Sequence, residues 1–195
     1  MDFASKKYPE MRVGSPDNFQ TPPSALDCLV PFIPKDWTIW EPACGNGNLV
    51  FDLAKRGYDV FGTDIKQNYV VFGKEGRVGI PWGAKGLLNF LTDTPPKGFS
   101  AILTNPPFSV KDDFLARCYM LRKPFALLLP ISTFDSANRR KMMKACGIQV
   151  IMPPGRINFE TPNHEDNVAK GKKVGGAWFF TCWFCYGLNL PSQIV

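Results

Sequence analysis

Short apolar runs alternate along this chain with amphipathic stretches, and that alternation limits the fold more than any other feature. "WTIWEPA", "YDVFGTDI", "KGLLNFL", "FSAILTN", "PFALLLPIS" and "IQVIMPP" read as strands, and "AWFFTCWFCYG" as a long last one. Between them "GNLVFDLAKRG", "VKDDFLARCYMLRK" and "SANRRKMMKACG" read as helices, the first and third closed by Gly57 and Gly147. The pattern predicts an α/β fold: a doubly wound, mostly parallel seven-stranded sheet with helices on both faces. Strands that are apolar almost throughout agree with burial on both sides. In such sheets ligands bind at the carboxyl ends of the strands.

With 195 residues, 45% of them hydrophobic, the chain can bury a core and is expected to form one domain, 1–195. The first residues are polar, without the apolar stretch of a signal peptide. The longest nearly apolar run, residues 177–187, is shorter than the roughly 20 residues a membrane span needs. The expectation is a soluble, cytoplasmic protein. A net charge of +6 is compatible with a polyanionic partner but does not establish one. Six cysteines are present, and only Cys182 and Cys185 form a C-x-x-C. On a strand, residues three apart point to opposite faces, so these thiols should diverge. The chain's one histidine is His164, and zinc needs a second ligand pair, so no metal site is expected.

Two strand ends carry chemistry. "EPACGNGN" puts Gly45 and Gly47 in a strand-to-helix turn, where glycine permits tight turning and close ligand approach. Asp64 ends the next strand 19 residues after Gly45, where a carboxylate can take both hydroxyls of a ribose. Position 50 is Val50, so the third glycine of a dinucleotide motif is missing. Glu41 in the turn suits a cationic ligand better than a pyrophosphate. S-adenosylmethionine carries a sulfonium, an amino group and a ribose, and answers that description. Asn89 and Phe90, ending the third run, are placed to meet an adenine edge and face.

The other end is "TNPPF". Adjacent prolines cannot continue a sheet ladder, so the strand stops there. An exocyclic amine on a flat base has its lone pair delocalised into the ring. Two acceptors aimed at its hydrogens would make the nitrogen more nucleophilic. Asn105 offers a side-chain carbonyl and Pro106 a backbone carbonyl, both held rigidly by the prolines. Phe108 offers a ring on which a flipped base can stack.

These motifs together resemble the N6-adenine DNA methyltransferases, above all the small Dam-like enzymes encoded by phages and prophages. The resemblance covers roughly residues 20–188. It implies a class I methyltransferase fold and a catalytic motif at Asn105, Pro106, Pro107 and Phe108. "NFQTP", residues 18–22, looks like the segment that closes over the methionine moiety, through Gln20, Thr21 and Pro22. Glu41, Pro42, Ala43, Gly45 and Gly47 then form the glycine motif. Asp64, with Ile65 beside it, takes the ribose. The family usually has Asp-Phe where this chain has Asn89-Phe90. Asn105 belongs to both halves of the site.

"NPPF" follows the glycine motif by only about 60 residues, leaving no room between them for a separate target-recognition domain. Residues 155–176 form the best candidate DNA contact, with Arg156, Lys170, Lys172 and Lys173 among flexible glycines. The function expected is methyl transfer from S-adenosylmethionine to adenine N6 in double-stranded DNA. The alternatives are an enzyme acting on adenine in RNA and a non-catalytic cofactor-binding regulator or decoy.

Overall fold

The strand-like runs pair into one sheet. The computed structural model describes residues 20–66, 71–72, 78–79, 87–159 and 179–192. Within them lie β1 (Thr38–Glu41), β2 (Asp59–Gly62), β3 (Val71–Phe72), β4 (Val78–Gly79), β5 (Ala101–Thr104), β6 (Phe125–Pro130), β7 (Gln149–Ile151) and β8 (Thr181–Tyr186). Their order in the sheet is β4-β3-β2-β1-β5-β6-β8-β7.

This corrects the expected seven-stranded, mostly parallel sheet. The described sheet has eight strands and is mixed. β2, β1, β5 and β6 run parallel and form its centre. β8 inserts antiparallel between β6 and β7, pairing with β6 over its whole length. β3 and β4 add an antiparallel edge beyond β2. "KGLLNFL" is not a full strand: it contributes an isolated parallel bridge between Asp64 and Leu87. The reason is Asn89. Its side-chain oxygen accepts from Leu91 N–H at 3.0 Å, and its carbonyl accepts from Thr92 and Asp93 N–H. Such local bonds favour a turn over a ladder.

Helices α1 (Asn48–Lys55), α2 (Lys111–Leu121) and α3 (Ala137–Cys146) complete the frame. Alternation along the strands splits the core into two layers. Ile39, Val60, Leu103, Leu128 and Trp183 pack with Leu49, Val50 and Leu53 of α1. Trp40, Ile102, Leu127, Leu129 and Phe184 pack on the other face with α2 residues Phe114, Leu115 and Cys118, and with Met143 of α3. Burying each large side chain is worth about 1.5–3 kcal/mol. Cys182 falls in the second layer and Cys185 in the first, so the two thiols diverge as strand geometry requires.

The segment before β1 is docked by specific bonds. The Trp183 indole donates to the Ala25 carbonyl at 2.7 Å. The Tyr58 hydroxyl bonds to the carbonyls of Val30 and Ile33. Arg56 reaches Asp27 at 2.7 Å. These contacts fix residues 20–33 against α1 and β8, and so bring Gln20 and Thr21 to the carboxyl edge of the sheet.

Candidate functional site

At the carboxyl ends of β1, β2 and β5 the structure opens a cavity of about 590 Å³. One wall is the turn after β1. Cys44 N–H bonds to the Thr63 carbonyl at 3.1 Å, and Gly47 N–H to the Cys44 carbonyl at 2.7 Å. Gly47 has φ of 84°, a conformation side chains disfavour, and a Cβ there would lie 3.0 Å from the Phe51 ring. The turn rests directly on β2. A Cβ at Gly62 would come within 2.8 Å of both Cβ and Sγ of Cys44.

Asp64 holds this turn in place. One carboxylate oxygen accepts from Gly45 N–H at 3.0 Å, and the other from Lys66 N–H at 2.9 Å. The acid therefore builds the site as well as facing it, and each oxygen retains lone pairs for a ligand.

Glu41 ends β1 and is only 1% exposed. Neither of its oxygens has a hydrogen bond of normal geometry among the described residues. Burial pushes the carboxyl up to about 8. Thr104 and the Ala43 amide oppose the shift, and the charge of Asp64 adds to it. A buried acid without partners at the wall of a cavity is a counter-ion site for a cation.

β5 supplies the facing wall. Asn105 and Pro107 line the same cavity as Glu41, Gly45 and Asp64. The Pro107 carbonyl accepts from Val110 N–H at 3.2 Å. The Pro106 carbonyl accepts no hydrogen bond from a described residue. Of the residues expected to bind cofactor, Gln20, Thr21, Glu41, Pro42, Ala43, Gly45, Asp64, Ile65, Asn89, Phe90 and Asn105 all line the cavity. Pro22 and Gly47 do not. Phe90 is engaged by its neighbours, stacked on Phe114 with centroids 4.6 Å apart and edge-on to Trp40. Its ring is core, and only part of it meets the cavity.

Phe108 lies outside the cavity lining. Its ring meets Phe179 at 5.5 Å and Phe159 at 6.4 Å, both edge to face. Phe159 and Phe179 are functional candidates that sequence reasoning missed; the available signal was an aromatic residue at each end of the basic loop. Lys66, Asn48, Val110 and Phe114 also line the cavity without having been singled out. Arg156 is exposed. Lys170, Lys172 and Lys173 lie outside the described residues, as does His164. Among the described residues no group of three or more His, Cys, Asp and Glu could hold a metal. No described helix is long and apolar enough to cross a membrane.

Neither a protein-family model nor a curated protein matches the chain. Solved structures do. One is described as a modification subunit of a putative type I restriction enzyme from Vibrio vulnificus. It is 14% identical, with 86% of this chain and 44% of that chain covered, at a TM-score of 0.47. Another is the CcbJ methyltransferase from Streptomyces caelestis, 13% identical over 85% of this chain and 72% of that one, at a TM-score of 0.38. The chain thus spans less than half the length of the modification subunit. At these scores neither likeness bears on function, which must be argued from the cavity.

Proposed function

We propose that this chain is an S-adenosylmethionine-dependent methyltransferase acting on N6 of adenine in DNA. The observation that carries the reading is that Glu41, Gly45 and Asp64 on one wall share a single cavity with Asn105 and Pro107 on the other. The cofactor fits the donor set. Glu41 is a buried acid that a ligand's ammonium and sulfonium would satisfy, and Asp64 suits a ribose diol. When bound, the cofactor supplies an electrophilic methyl carbon.

The protein's part is to hold the amine. The Asn105 side-chain carbonyl and the Pro106 backbone carbonyl would accept its two hydrogens, drawing the lone pair out of conjugation. The prolines fix both acceptors before the amine arrives, so little reorganisation is needed. The base must leave its stack to reach them. Phe108, braced by Phe159 and Phe179, is the surface on which it would rest.

The test is transfer of labelled methyl from S-adenosylmethionine, with duplex DNA, structured RNA and protein offered in parallel. Label on adenine N6 in duplex DNA, lost in Asn105→Ala, is the expected result. Preferential label in RNA replaces the substrate class. Cofactor binding with no transfer to any acceptor makes the chain a regulator.

A further inference from the structure

The wall beyond Asp64 is unusual in what it offers a ligand. Leu87 is bridged to Asp64, so residues 88–91 lie next to the ribose acid on the side away from β1. A base attached to that ribose would meet this wall. Asn89 lines the cavity there, and its carboxamide orientation is dictated by its surroundings. The side-chain oxygen accepts from Leu91 N–H at 3.0 Å. Turned over, the amide would set its NH2 against that N–H, donor against donor. The Asn89 backbone N–H is spent on the Asp93 carboxylate at 2.9 Å. What Asn89 has left for a ligand is its NH2, which bonds to no described residue. The Phe90 backbone N–H beside it is likewise without an acceptor among the described residues. Two adjacent donors therefore face the space, with no acceptor committed to it.

We infer that this turn meets the cofactor's purine by donating, so that the site draws little selectivity from the exocyclic amine. The inference rests on the reading of the cavity as an adenosyl site. An adenine edge presents one acceptor, the ring nitrogen N1, and one donor, the amine. The ring nitrogen matches these donors; the amine meets no acceptor. An aspartate at position 89 would alter that with little else changed. One carboxylate oxygen would keep the Leu91 cap, and the other would replace the NH2 with an acceptor.

Calorimetric titration with S-adenosylhomocysteine and its 6-deamino analogue, which carries hydrogen in place of the amine, tests this. The two ligands have the same charge, so the charge introduced by Asn89→Asp cancels in the ratio of affinities. Wild type should bind the two within about threefold of each other, and Asn89→Asp should prefer the amine-bearing ligand by about tenfold or more. Asn89→Ser, which keeps an oxygen for Leu91 but has no NH2, should weaken both ligands and leave their ratio near one. A wild-type preference for the amine of about tenfold, or the same ratio in wild type and Asn89→Asp, overturns the inference and leaves the adenosyl site standing. Failure of wild type to bind either ligand overturns both.

Discussion

Glu41 is the residue whose energetics are set most clearly by its surroundings. In solution its carboxyl would titrate at about 4.5, while the folded chain holds it near 8. The folded state keeps a proton that the unfolded state releases. Stability from this group is therefore fully present below about 4.5 and lost as pH rises through about 8. Thermal melts of the ligand-free protein should fall more steeply between those limits in wild type than in Glu41→Gln; parallel slopes would contradict the burial argument. A bound cation should ionise Glu41, so binding S-adenosylmethionine at neutral pH should release protons. Calorimetry in buffers of different ionisation heat measures that release, which Glu41→Gln should abolish. Asn105 gives a complementary prediction. Its replacement by alanine removes an acceptor needed by the reacting amine and should cost about 100-fold or more in kcat. Affinity for S-adenosylmethionine should change far less, since the cofactor's charged groups lie against Glu41 and Asp64. Stopped-flow turnover and calorimetry on one preparation would separate the two effects, and near-normal turnover would sink the catalytic assignment.

Between elements, the junction of β2 with the turn after β1 sets the shape of the cofactor wall. Gly62 allows it: an added methyl would lie 2.8 Å from Cys44 and 2.9 Å from Val50. Cys44 Cβ is fixed to the turn and cannot swing away. Gly62→Ala should cost about 1–3 kcal/mol by overpacking. It should also weaken cofactor binding by displacing Gly45 from Asp64; a urea melt and a titration would read both. This role was invisible in sequence, because Gly62 is ordinary within "YDVFGTDI" and its neighbour Cys44 is 18 residues away. The strand ends bearing Glu41, Asp64 and Asn105 were legible, because hydrophobic runs stopped by polar or proline residues locate them without knowledge of pairing. Sheet direction was not legible: nothing in "TCWFCY" says that it runs against β6. "KGLLNFL" misled for a local reason, since the Asn89 side chain turns the backbone despite the apolar residues around it.

For the whole molecule the question is how a DNA-sized polyanion would be held. The net charge of +6 supplies attraction without location. The basic cluster on α3 is a poor location. Arg139 is committed to Asp112 and to the carbonyls of Ser132 and Thr133, and Arg140 to the carbonyls of Phe134 and Asp135. Residues 155–176 have a better claim. Phe159 and Phe179, on either side of 160–178, sit with ring centroids 6.2 Å apart, and both meet Phe108. The chain thus leaves and re-enters the described fold beside the proposed catalytic motif, and Lys170, Lys172 and Lys173 belong to the stretch between. We predict that these lysines bind phosphates. Neutralising all three should weaken binding to duplexes of different sequence about equally, because phosphate-binding groups position a protein on DNA without reading its sequence. The slope of log affinity against log salt should shrink by about 0.9 for each phosphate that is no longer neutralised. S-adenosylmethionine affinity should be unchanged, since Glu41 and Asp64 are untouched. Binding isotherms at several salt concentrations decide the matter: a triple variant with the wild-type slope would leave Arg156 and the remaining lysines of α3, Lys141 and Lys144, to carry the DNA.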